Sequence, residues 1–171
     1  MSAGHLVRRF VGSLSPRTPS AADGVWAETQ LLDEEVELWR RMGRADRRHV
    51  IGVARRVEAA LGNDATRPVL AAALLHDIGK LESHLSTYGR VVATFSIRVA
   101  GPEAAGAWTQ TRGFTRRVGL YAQHEALGAE MLELAGSDPL TVALVREHSQ
   151  PEPDRTAPAH LAAALCAADD A

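Results

Sequence analysis

The stretch Val69-Leu70-Ala71-Ala72-Ala73-Leu74-Leu75 is apolar on every side, and it runs straight into the adjacent pair His76-Asp77. Seven unbroken apolar residues after Pro68 suit a helix that has proline in its first turn and is buried all round. A carboxylate at the end of such a helix is drawn out of water, which is costly unless it is paired with a cation or bound to a metal ion. The chain therefore has to wrap other elements around this helix and supply a partner for Asp77.

The remaining sequence supplies helices. Aromatic residues are only 5% of the 171, while Ala and Leu are abundant, a mix that favours helices packed through small side chains. Neither an alternating strand pattern nor an internal repeat is visible, so the expected class is all-α. With 46% hydrophobic and 23% charged residues the chain is globular in composition and long enough for one domain with one core.

The Ser, Pro and Ala-rich stretch from Ser13 to Asp23 reads as a loop, which makes residues 1–22 a flexible lead-in and 23–171 the helical domain. Leu32, Val36 and Trp39 recur at helical spacing and predict one amphipathic helix from Asp23 to Met42, closed by Gly43. Asp46 is the expected cap of the next, whose stripe is Val50, Val53, Val57 and Leu61, with Gly62-Asn63 as its stop and His49 beside the inward face. After the buried helix, further helices are expected over Gly89 to Val99, Pro102 to Thr111, Glu125 to Ala135 and Asp138 to Glu147. A loop with Pro151, Pro153 and Pro158 then leads into a last helix from about Ala159. Trp26, Trp39 and Trp108 are read as core or interface anchors.

A formal charge of −2, without a block of Lys or Arg, argues against a nucleic acid polymer as partner. No apolar run approaches the roughly 20 residues that cross a bilayer, so no membrane partner is expected. The single cysteine, Cys166, excludes an internal disulfide and reads as a buried thiol; with no secretory signal pattern at Arg8-Arg9, the expected compartment is the cytoplasm. Nothing in the chain specifies an oligomeric state. Gly-x-Ser-x-Gly, phosphate-loop and His-Glu-x-x-His motifs are all missing, which removes those enzyme classes.

The run from Ala71 to Lys80, small or apolar residues followed by His76-Asp77-Ile78-Gly79-Lys80, resembles the motif that names the HD superfamily of metal-dependent phosphohydrolases. The similarity extends over roughly Arg44 to Asp170. It implies a single compact helical bundle of HD-domain type, with His49, His76, Asp77 and Asp169 as ligands of one metal; Asp170 is the rival for the last position, since neighbours on a helix point about 100° apart. His124 and His148 match the two additional histidines of family members with a binuclear centre, where Asp77 is the natural bridge.

The resemblance further implies hydrolysis of a phosphoester in a nucleotide or other small phosphorylated compound by metal-activated water, with Asp77 and Lys80 as catalytic residues. A donor set of imidazole and carboxylate without thiolate suits Mn or Fe, with Zn, Co and Mg as alternatives, as one or two ions. Lys80, His84, Arg90 and Arg116 are candidate substrate contacts, since phosphate calls for nearby cations. Two other readings stay open here: a regulatory module of the same fold that binds metal and nucleotide without turnover, and a purely structural helical protein.

Overall fold

The computed structural model describes residues 20–151 and 154–171; the lead-in expected over 1–22 lies outside them up to residue 19, as does His5. Ten α-helices are present among the described residues: α1 (Ala21–Thr29), α2 (Asp33–Arg41), α3 (Arg44–Leu61), α4 (Arg67–Leu75), α5 (Thr87–Ala100), α6 (Pro102–Ala107), α7 (Gly113–Ala122), α8 (His124–Leu134), α9 (Pro139–Arg146) and α10 (Ala159–Asp170). No strand occurs among those residues, so the all-α expectation holds. None of these helices is long and apolar enough to cross a membrane.

The core is built around α4. Every residue from Val69 to Leu75 is buried, as the unbroken apolar run predicts, and α4 is enclosed by α3 and α9. Helix α3 contributes Val50, Val53, Ala54 and Val57 to that core and packs its other flank on α10. Helix α9 is tied to α4 by a polar link: the buried Thr141 hydroxyl donates to the Pro68 carbonyl at 2.9 Å. Within a helix that carbonyl belongs to the ladder, so the hydroxyl satisfies itself without leaving a buried polar group unpaired.

Between Asp23 and Met42 the structure corrects the single-helix expectation. The chain breaks over residues 30–32, and α2 starts afresh with Asp33, Glu34 and Glu35 in its first turn, where acidic groups meet the helix N-terminus favourably. The Glu35 carboxylate turns back to accept the Leu32 N–H at 2.8 Å. Periodicity missed the break because Val36 and Trp39 keep their inward phase; the buried leucine of the linker is Leu31, whereas Leu32 is exposed.

Two further corrections concern helix starts, and a third concerns a helix that the periodicity does not mark. Helix α3 begins at Arg44 with Gly43 as its cap, which puts Asp46 in the first turn, where it pairs with Arg90 instead of capping. Helix α5 starts two residues before Gly89 because the Ser86 hydroxyl caps it, accepting the Gly89 N–H. Helix α7 was not expected, since only Val118 and Gly119 face inward while Arg112, Arg116 and Arg117 are exposed. It is fixed by tertiary packing: a Cβ on Gly119 would sit 2.5 Å from the Thr109 backbone nitrogen, so only glycine lets α7 lie against the short 3₁₀ turn Trp108–Gln110.

Helices α5, α6 and α7 form a side cluster with its own small core of Leu85, Ala93 and Val118, flanked by Trp108 and Tyr121. Trp39 is buried, and Arg55 lies over the Trp26 ring at 3.4 Å, so the tryptophans act as anchors, as read from the sequence.

Candidate metal centre

After α4 the chain does not continue as an α-helix. His76 caps it, Asp77 leaves helical geometry, and residues Ile78–Ser83 form a 3₁₀ turn that ends at His84, whose φ of 48° is left-handed. This tight turn brings Gly79 against the start of α8: a Cβ there would fall 1.9 Å from the His124 carbonyl oxygen and 2.6 Å from the Gly128 nitrogen. Backbone thus meets backbone, and His124 is delivered to the same side as Asp77.

Four elements converge on the His76-Asp77 pair. His49 comes from the first half of α3, His124 from the first position of α8, His148 from the turn after α9 and Asp169 from the last turn of α10. Asp169 Oδ1 stands 2.8 Å from His49 Nε2 and 3.6 Å from His76 Nε2, while its Oδ2 stands 3.5 Å from His148 Nε2. Asp77 Oδ1 is 3.5 Å from His76 Nε2 and 3.9 Å from His124 Nε2. Of the two terminal aspartates, Asp169 therefore faces the cluster, and Asp170 is exposed.

Ring tautomers follow from the backbone. His76 Nδ1 lies 3.0 Å from the Ala73 carbonyl and His124 Nδ1 lies 2.9 Å from the Tyr121 carbonyl. A carbonyl only accepts, so Nδ1 carries a hydrogen in both and Nε2 of each ring points into the cluster. His76 is fully buried, and its Nε2 has no hydrogen-bond partner among the described residues. A buried acceptor is rarely left so, because it forfeits its hydration for nothing.

Charge is equally concentrated. Burial pushes the Asp77 carboxyl up, but Lys80, His76, His124 and His49 outweigh it and hold it well below the usual range. Burial also raises Asp169, yet His148, His49 and His76 drive it far down. His124 is pushed down to about 4 by burial and by Lys80, which keeps its ring neutral. For His148 burial lowers the value, and Asp169 and Cys166 reverse it, up to about 10.

His49, His76 and Asp77, and again His76, His148 and Asp169, present ligand atoms within 4.8 Å of one another. Donors bound at about 2.1 Å to one ion stand roughly 3 to 4 Å apart, so both groups can hold a divalent cation, and His76 is common to them. His124 lies just outside either group, facing Asp77 alone.

The expected cationic residues divide. Lys80 reaches Asp77 Oδ2 at 2.6 Å and lies 5.9 Å from the Tyr121 ring. Arg90 is spent on Asp46 at 2.7 Å, a bridge that ties α5 to the first turn of α3 below His49. His84 and Arg116 are exposed, and their side chains make no hydrogen bond or ion pair among the described residues.

Residues that the sequence did not place at the centre complete the surround, among them Cys166, expected as a buried thiol. Cys166 is half-buried, and its Sγ lies 4.0 Å from His148 Nδ1 and donates to the His148 carbonyl at 3.3 Å. Its place three residues before Asp169, on the same helix face, is the signal that could have found it. Arg155 also donates to the His148 carbonyl, at 3.2 Å, and Arg56 donates to the Ala168 carbonyl at 2.8 Å, fastening the turn that carries Asp169. Tyr121 stacks on the His124 ring with centroids 5.6 Å apart.

Comparison with curated proteins and with solved structures finds no match. A family model described as the HD domain matches residues 47–171, a span that opens just before His49 and closes just after Asp169. The helical fold, the His-Asp pair at the end of its most buried helix and this match over most of the chain agree, and the chain belongs to the HD domain family.

Proposed function

We propose that this protein is a metal-dependent phosphohydrolase acting on a nucleotide or another small phosphorylated compound. The observation that carries the reading is His76 Nε2: a fully buried ring nitrogen without a hydrogen bond, ringed by His49, Asp77, Asp169 and His148. A cation satisfies that atom and both carboxylates at once, and the set of imidazole and carboxylate donors without thiolate fits Mn or Fe. His49, His76, Asp77 and Asp169 hold the first ion in this reading, with His124 and His148 beside it as ligands of a second.

A divalent cation supplies Lewis acidity, acidifying water and drawing charge from phosphoryl oxygen. The chain's own residues do the rest. The Ala73 and Tyr121 carbonyls fix the His76 and His124 rings with Nε2 inward. Lys80 neutralises Asp77 through Oδ2 and stands ready as a point charge for a phosphate. Lys80 Nζ sits on Asp77 Oδ2, so the same ammonium that balances this carboxylate would be within reach of a phosphate bound beside it. With Arg90 held by Asp46, His84, just beyond Lys80, is the next candidate for substrate, with Arg116 further out on α7.

The deciding measurement is metal content by elemental analysis beside phosphate release from nucleotides and simple phosphoesters, for wild type and Asp77→Ala purified without chelators. One or two ions per chain with turnover, both lost in the variant, is the expected result. Bound metal and tight nucleotide binding with no phosphate release across several metals would identify a regulatory module instead. No bound metal would sink the reading.

A further inference from the structure

Helix α5 carries five of the nine large hydrophobic side chains exposed among the described residues: Tyr88, Val91, Val92, Phe95 and Val99. Tyr88, Phe95 and Val99 are each about 70% exposed. So many on one helix cannot be ordinary scatter of apolar side chains over a surface. Tyr88, Val92, Phe95 and Val99 follow a four, three, four spacing, which at 100° per residue places them within a stripe roughly 60° wide. Val91 borders that stripe. The inward side of the same helix is occupied by Ala93 and Ile97 against the small core of the α5–α7 cluster, and Arg90 is turned to Asp46.

We propose that this stripe is a homodimer interface, α5 packing antiparallel on α5 of a second copy of the chain about a two-fold axis. Three features favour a second copy over an unrelated partner. The first is shape. An axis passing the helix between positions 93 and 94 sets Tyr88 against Val99 of the second copy and Val92 against its Phe95. Every layer then pairs one aromatic ring with one valine, the large-against-small alternation that fills an interface without voids. Parallel pairing would put ring on ring and valine on valine.

The second is charge. Helix α5 has no acidic residue, and its only free-standing cation near the stripe is Arg98, at one edge. Antiparallel pairing carries the two Arg98 side chains to opposite ends of the interface, whereas parallel pairing stacks them. The third is area. The five side chains expose roughly 600 Å² together, so two copies bury on the order of 1,200 Å², the lower end of what a stable specific interface needs. A dimer that dissociates in the micromolar range is the expected consequence.

The interface is tested by mass, in solution, with the 171-residue chain and without regard to metal or turnover. Light scattering behind size exclusion, or sedimentation equilibrium, is expected to show a dimer for wild type. Phe95→Glu and Val92→Lys are each expected to give monomers with wild-type helicity and with the melting temperature of wild type diluted below its dissociation constant, since both positions are exposed. Mixing the two variants is expected to restore a dimer, because the antiparallel arrangement sets the new acid on one chain against the new base on the other. A wild type that stays monomeric up to about 100 μM overturns the proposal. So does either variant that remains dimeric, and so does a mixture that remains monomeric.

Discussion

Gly79 and His124 show how narrowly single residues are constrained at this centre. The hypothetical Cβ of Gly79 meets backbone atoms of α8, which cannot swing away as a side-chain tip could. Gly79→Ala is therefore expected to cost about 3 kcal/mol or more in urea unfolding, and to weaken metal binding in parallel because the same contact delivers His124. His124 makes a prediction of opposite character. Its value near 4 in the fold lies below the ordinary 6.5, so protons favour the unfolded chain. The stability that this ring contributes is fully present above about pH 6.5 and is lost as pH falls towards 4. His148, raised to about 10, stays protonated in the fold throughout this window, and because its unfolded value is near 6.5 it opposes the His124 trend only towards the upper end, equally in wild type and variant. A denaturant series in chelator over pH 4 to 6.5 should fall steeply for wild type and less steeply for His124→Gln; equal slopes would refute the assignment.

Among the elements, α10 is set in place by Glu147. Its carboxylate, at the close of α9, accepts the Thr156 and Ala157 N–H groups at 2.8 and 2.9 Å and the Thr156 hydroxyl besides. These bonds aim α10, and so Asp169, at the cluster. Glu147→Gln is expected to lose about 1 to 3 kcal/mol of stability and to lower metal affinity without touching a ligand. Burial raises the Glu147 carboxyl, but the Ala157 and Thr156 donors hold it below its ordinary value. Its contribution is thus present above the usual carboxylate range and lost as pH falls through the lowered value, so the cost of the substitution should shrink in acid. A cost that is unchanged at low pH would mean that packing, rather than these charge-assisted bonds, holds the loop.

At the scale of the whole molecule, the centre joins α3, α4, α8, α10 and the turn after α9, so a bound ion clamps elements distant in sequence. Without the ion, the desolvation of the two carboxylates and of His76 Nε2 opposes the fold. Adding Mn or Fe to stripped protein at about 100 times its dissociation constant should stabilise it by roughly 2.7 kcal/mol and raise the melting temperature by about 5 to 10 °C. Asp77→Ala should show little or no such shift. An unchanged melting temperature in the wild type would count against the centre itself.

The sequence by itself determined the class, the buried helix and the inward residues of α3, because those depend on local periodicity: Val69 to Leu75 are apolar all round, and Val50, Val53 and Val57 recur on one face. The same periodicity placed His49 beside that face and set the His-Asp pair at the end of the core. The break between α1 and α2 escaped it, since Leu31 replaces Leu32 inside without disturbing the phase of Val36 and Trp39. Helix α7 escaped it too, because its place depends on Gly119 meeting a distant turn. Only the tertiary structure decided that Asp169 rather than Asp170 faces the cluster, that Arg90 serves Asp46, and that Cys166 and Arg155 support His148. Each is a contact between residues far apart along the chain or a choice of helix phase, and neither is written in the local order of side chains; both are settled when the core closes and each buried polar group must find a partner.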